Sequence, residues 1–259
     1  MKKIIAMLLV LVMAVSLVAC GGQKAPETQA PTAAPETEAP ATEAPATEAP
    51  ETEAPAAAAM THEEYIAAEL DAEVVIETYV QGHQSWWDNK ITVYCQSKDG
   101  AYFAYELACS EADAAKLVPG TKILVTGYKG EWAGEVEVMD GTFEFVEDGE
   151  TWIAEALDVT ELLGTEELIA HQNEVVAFTG MTVEAINYKN DEPGDDIYVT
   201  LGYNGASYDF CVERYLTGPE TEVYTTVGTL NVGDVVNVEG FMYWYEGPNP
   251  HITSISLAG

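Results

Sequence analysis

Residues 118–128 read VPGTKILVTGY, and residues 231–241 read NVGDVVNVEGF. Laid over one another, they place Gly120 on Gly233, Ile123 on Val236, Val125 on Val238, Gly127 on Gly240 and Tyr128 on Phe241. In each, a glycine turn opens a run whose apolar side chains alternate, the period of a strand with one buried face. The segments upstream match as well: EEYIA at 63–67 against EELIA at 166–170, and Val74-Val75 against Val175-Val176. The offset grows from 103 to 113 residues, so insertions separate the matches, but their order is kept. Repetition at this length means two copies of one folding unit.

The first copy supplies the clearer pattern. Thr61-His-Glu-Glu64 has capping-box spacing and predicts a short helix ahead of Tyr65 and Ile66. Residues 74–80, 91–96, 102–107, 122–128 and 135–139 are rich in β-branched and aromatic residues and read as strands, with Phe143 and Phe145 extending the fifth. Between the third and fourth lies Ser110-Glu-Ala-Asp-Ala-Ala-Lys-Leu117, a Ser-capped stretch of about two helical turns closed by Pro119-Gly120. Five strands with a helix after the third resemble the OB-fold, a small Greek-key barrel, and VPGTKILVTGY resembles the fourth strand of such domains. The expected fold is therefore all-β with short helices: two tandem five-stranded OB-like barrels, at 61–150 and 165–259, joined by a partly helical connector at 151–164. In the second copy Gly218-Pro219 and several threonines within 214–230 leave the equivalent helix in doubt.

Ahead of the barrels the chain changes character. Met1-Lys2-Lys3 is basic, Ile4 to Ala19 is apolar, and Leu17-Val18-Ala19-Cys20 follows, the grammar of a secretory leader over 1–19. The apolar run is shorter than the roughly 20 residues a membrane span needs. LVAC resembles the lipobox of bacterial lipoproteins, which implies cleavage before Cys20 and a lipid anchor on its thiol. That resemblance places the mature chain on the outer face of the cell membrane. Residues 20–60 then form a linker of P-E-T-E-A-P and A-T-E-A-P units, with too few apolar residues to fold. Extended proline-rich chain of about 35 residues reaches on the order of 100 Å.

Charge narrows the partners. The chain carries a net −34, and beyond residue 60 seven basic residues stand among 37 acidic ones. Affinity for nucleic acid rests on basic side chains neutralising phosphates, so the composition predicts no nucleic-acid partner. Cys95, Cys109 and Cys211 are an odd set, so at least one stays unpaired within the molecule. A turn at Asp99-Gly100 would set Cys95 opposite Tyr102 rather than Cys109, so three buried thiols are expected.

Recognition is expected at the loops. OB domains as a family bind on the face of strands two and three, flanked by the loops joining strands one to two and four to five. In the first copy these loops are 81–89, with Trp86 and Trp87, and 129–134, with Trp132. In the second they hold Tyr188, Tyr243, Trp244 and Tyr245. Neighbouring strand residues face opposite ways, so only one indole of the Trp86-Trp87 pair can enter a core directly, leaving the other for a ligand. Such rings suit sugars and peptides; the plainer account is that they plug barrel ends or join the two barrels.

No cofactor is expected. The only metal reading is a weak one, calcium on the acidic turn through Asp191, Asp195 and Asp196. His62, His83, His171 and His251 are scattered, and no phosphate loop or nucleophile elbow occurs, so an enzyme is not expected. The expected protein is a non-catalytic binding or adaptor module for envelope glycan, peptide or protein. The alternatives are a purely structural envelope protein, or a hydrolase using carboxylates such as Glu131 and Glu135.

Overall fold

A computed structural model describes residues 58–259. The leader at 1–19, Cys20 and the linker up to residue 57 lie outside the described residues. β1 (Glu73–His83), β2 (Lys90–Ser97), β3 (Gly100–Ala108), β4 (Lys122–Trp132) and β5 (Glu135–Phe145) close into a barrel in the order β1-β2-β3-β5-β4. Neighbours are antiparallel except β3 and β5, which meet in parallel at Phe103–Glu137 and Ala104–Val138. A helix, α2 (Glu111–Ala114), stands between β3 and β4. This is the OB strand order, closed by its short parallel contact.

The second copy repeats it. β7 (Val175–Tyr188), β8 (Ile197–Tyr203), β9 (Ala206–Val212), β10 (Val235–Phe241) and β11 (His251–Leu257) follow the same circuit, closed by pairing of β10 with β7. Here the parallel contact is the single pair His251–Cys211, and β6 (Leu157–Asp158) adds a short parallel strand beside the start of β7.

The repeated glycines explain the repeated text. Gly120 and Gly233 have φ of +91° and +95°, a conformation that favours glycine. Their N–H groups donate to Val80 and Val183 at 2.7 and 2.8 Å, so each turn ties β4 or β10 to its first strand. Gly127 and Gly240 sit where the next strand crosses closely. A Cβ on Gly127 would lie 2.8 Å from the Met139 carbonyl oxygen, and one on Gly240 would strike the His251 carbonyl. Both positions coincide with bulges in the pairing to the last strand of the barrel. The alternating residues between them, Ile123 and Val125 or Val236 and Val238, enter two separate cores.

Local elements depart from expectation in four places. The capping box forms at Thr61 and Glu64, starting α1 (His62–Ala67), but its counterpart Glu166–His171 is a 3-10 helix without a side-chain cap. The Ser110-capped helix spans one turn instead of two, because the chain must reach the Gly120 turn. The connector is mostly without regular structure, apart from the two residues of β6 and one 3-10 turn at Thr160–Leu162. The doubtful helix of the second copy does form as α3 (Glu222–Val227). Gly218-Pro219 precedes it, Thr221 caps it, and Val223, Tyr224 and Val227 are buried, so packing outweighs the low propensity of its threonines. Cys95, Cys109 and Cys211 are buried free thiols, with Cys95 opposite Tyr102. Among the described residues no helix is long and apolar enough to cross a membrane.

Candidate functional site

Alternation along β2 and β3 sends Val93, Cys95, Tyr102 and Ala104 into the first core and leaves Tyr94 and Phe103 on the outer face. That face, where recognition was expected in the first copy, is covered by the second barrel. Tyr94 stacks on Phe241 at 4.3 Å and 16°, and Phe103 meets Tyr243 edge-on at 5.2 Å. The Tyr94 hydroxyl lies 2.6 Å from His251 Nδ1. Burial pushes His251 down to about 3, so the imidazole is neutral.

The β4–β5 hairpin joins the same contact. β4 runs to Trp132, so the expected loop 129–134 shrinks to a tight turn at Ala133-Gly134, both with positive φ. Ala133 accepts from Glu246 N at 2.7 Å, and Glu135 Oε2 accepts from Trp244 N at 2.8 Å. Glu135 is fully buried, and this burial pushes its carboxyl up to about 8. Glu131 and Glu135 lie on opposite faces of the hairpin, with Glu131 exposed, so they do not form the opposed pair that sugar hydrolysis uses.

The equivalent face of the second barrel stays open. Tyr198 of β8 and Cys211 of β9, paired across the strands, form the floor of a cleft of about 910 Å3. The second barrel's own β10–β11 loop supplies Tyr243, Tyr245 and Asn249 to one wall. The opposite wall comes from the first barrel: Gln84 to Trp87 of the β1–β2 loop, with Lys90, Tyr105 and Glu106. Ser85 locks the two sides together, donating from both N and Oγ to the Tyr215 carbonyl at 2.6 and 3.2 Å.

The anticipated residues divide. β1 continues to His83, so the expected loop 81–89 is shorter, and within it the two indoles part. Trp86 packs on the first core and donates from Nε1 to the Cys109 carbonyl at 2.9 Å, whereas Trp87 is 78% exposed at the cleft. Tyr243 and Tyr245 also line the cleft. Trp132 (61% exposed), Trp244 and Tyr188 do not. Trp244 is held at the junction through its N–H, and Tyr188 leans on the second core beside Tyr224 at 6.4 Å. Reading the loops alone missed Tyr105, Tyr198, Arg214 and Tyr215. Tyr105 and Tyr198 were marked only by alternation, which puts them on outer strand faces. Arg214 and Tyr215 sit in a segment with no periodic signal.

On the acidic turn, the carboxylates expected to offer a calcium site are engaged by protein donors. Asp196 Oδ2 accepts from Lys189 Nζ at 2.8 Å and its Oδ1 from Arg214 N at 2.9 Å. Asp195 pairs with the same lysine at 3.5 Å. Among the described residues no three His, Cys, Asp or Glu side chains converge as a metal site, Asp191 included. Lys189 already supplies the positive charge that a cation would bring.

No family profile matches the chain, and no curated protein is similar to it. Among solved structures, the HINb domain of p204 aligns at 11% identity and a TM-score of 0.36, covering 74% of this chain and 100% of that one. A murine DNA-binding protein bound to double-stranded DNA aligns at 10% and 0.36, covering 71% and 96%. A Replication Protein A heterotrimer bound to single-stranded DNA aligns at 13% and 0.27, covering 70% of this chain and 50% of that one. The fold assignment here rests on strand order and register. The expectation that nucleic acid is excluded as a partner is corrected by these likenesses, which include domains solved on double- or single-stranded DNA. Net charge sums over a whole surface, whereas recognition on a barrel of this type is local to one face and its loops.

Proposed function

We propose that this protein is a lipid-anchored, extracytoplasmic and non-catalytic binding module that takes an envelope glycan, peptide or protein segment in the cleft between its two barrels. The observation that supports it best is Trp87. Trp87 is 78% exposed beside a concave surface that Tyr105, Tyr198, Tyr215, Tyr243 and Tyr245 share, whereas Trp86 next to it is half-buried against the first core and only borders the cleft. An exposed indole among tyrosines presents large rigid area with polar tips, the composition of recognition hot spots. The first barrel contributes a wall and the second a strand face, so the junction makes a site that neither barrel has alone. The membrane address rests on the leader, the LVAC box and Cys20, and the linker supplies the reach.

Titration of the full chain with peptidoglycan fragments and short peptides, followed by tryptophan fluorescence, tests the reading. Trp87→Ala should weaken binding about tenfold or more while changing stability by under about 0.5 kcal/mol, as for an exposed position. A 12-mer of single-stranded DNA is titrated alongside, and saturation by it in place of glycan or peptide would reassign the ligand. The absence of any saturable signal would favour a purely structural role. Cys20→Ser should release the protein from membranes; retention of that variant would refute the anchor.

A further inference from the structure

We infer that the ligand of the cleft carries a carboxylate, with the chemistry of an acidic saccharide whose ring stacks on Trp87 while its carboxylate docks on Arg214; this rests on the cleft being the binding site. Arg214 is the chain's only arginine. Beyond residue 60 the other basic side chains are nearly all committed. Lys90 pairs with Glu106, Lys116 with Asp113, Lys122 with Glu77, Asp148 and Glu150, and Lys189 with Asp195 and Asp196. Lys129 donates to the carbonyls of Ile66 and Ala68, and Lys98 stands exposed beside the β2–β3 turn. Among the described residues no carboxylate pairs with the Arg214 guanidinium, an odd state for a cation in a chain of net charge −34.

The carboxylates on the cleft are each engaged elsewhere, and Asp195, which feels Arg214 from outside the cleft lining, pairs with Lys189 at 3.5 Å. Glu106 holds Lys90 at 2.6 Å and Asp196 holds Lys189 at 2.8 Å. Glu213 accepts from the N–H groups of Tyr215 and Leu216 at 3.0 and 2.8 Å. These bonds also pin the turn on which Arg214 stands, and Arg214 N is tied to Asp196 at 2.9 Å. The guanidinium lies over the Tyr215 ring, 5.7 Å from its centre, a placement that leaves its edge donors for a planar bidentate acceptor. Ser85 binds the Tyr215 carbonyl, so Trp87, two residues away, and Arg214, one residue away, flank the same hydrogen bond. Stacking surface and cation therefore line the same cleft. Glu106, Asp196 and Glu213 also line the cleft, but Glu106 and Asp196 are paired with Lys90 and Lys189, and the charge of the rest of the chain is screened beyond about 8 Å at physiological ionic strength.

The test compares trigalacturonic acid and a hyaluronan tetrasaccharide with their methyl esters, which keep the ring and remove the charge, by calorimetric titration of the full chain. At least one acid should bind about tenfold to a hundredfold tighter than its ester, the range of a charge-assisted pair. Arg214→Gln should bring that acid down to the level of the ester and leave the ester unchanged, while Trp87→Ala weakens both. Equal affinity of acid and ester, with both lost in Trp87→Ala, would overturn the carboxylate inference and keep the cleft. Failure of every saccharide to bind, or binding indifferent to Trp87→Ala, would overturn both.

Discussion

Glu135→Gln should make the junction between the barrels less sensitive to alkali. The wild-type carboxyl is buried, with Oε2 accepting from Trp244 N, while Oε1 and the nearby Asn173 Oδ1 have no donor among the described residues. Gln172 Nε2 also donates to Oε2 at 3.4 Å, so a proton on Glu135 supplies the donor that Oε1 and Asn173 Oδ1 lack. Burial raises the carboxyl from 4.5 to about 8, so over that interval the folded state holds a proton that the unfolded chain has released. Stability is then fully present below pH 4.5 and falls as pH rises through about 8, by about 1.4 kcal/mol per unit.

His251, pushed down from 6.5 to about 3, works in the opposite direction, gaining stability as pH rises to about 6.5. The two nearly cancel between pH 4.5 and 6.5 and leave Glu135 visible above that. Between pH 6.5 and 9 its loss is about 2 kcal/mol. Glu137 on the same strand, pushed up to about 7 by burial, adds under about 1 kcal/mol; the other titratable groups around Glu135 are Tyr65, Tyr94 and Tyr243, which burial drives upward and out of this range. Gln keeps the shape, accepts from Trp244 N and brings an N–H. Urea midpoints at pH 6.5 and 9 read the effect as a difference, because the buried thiols Cys95, Cys109 and Cys211 act on both proteins alike: with an m-value near 2 kcal/mol/M, the wild type should lose about 1 M more than Glu135→Gln. A variant that follows the wild-type pH profile would refute the assignment of the proton to Glu135.

Phe241→Ala removes the ring stacked on Tyr94 and should cost about 3–5 kcal/mol in chemical denaturation; a loss under about 1 kcal/mol would show the junction to be incidental. Two glycines of the repeat separate strain from collision. Gly233→Ala meets nothing within 4 Å and should cost only the backbone strain of about 1–2 kcal/mol, whereas Gly240→Ala drives a methyl into the His251 carbonyl and should cost clearly more. Equal losses in the two variants would mean that the β10–β11 crossing is looser than it stands. Thr221→Ala should cost about 1 kcal/mol through loss of the α3 cap, measured by thermal unfolding, and no change would mean that packing alone holds that helix.

Sequence by itself determined whatever depends on local pattern. Alternation and glycine placement in residues 118–128 and 231–241 set two barrels of one strand order, because a strand with one buried face must alternate and a close crossing admits no Cβ. The capping box at Thr61 and Glu64 and the opposition of Cys95 to Tyr102 were legible as local pattern too. Pattern also said that Trp86 and Trp87 must part, but not which would turn inward.

Tertiary structure alone decided what the two copies do to each other. Tyr94 and Phe103 read as an exposed strand face in the first copy, and only the arrival of Phe241, Tyr243 and His251 turns that face into an interface. The same docking takes Trp244 out of the candidate site, buries Glu135, and brings Trp87 and Arg214 into one cleft across more than a hundred residues of chain. Contacts of that span leave no periodicity in the sequence: they depend on how two finished surfaces fit, and each surface exists only after its own barrel has closed.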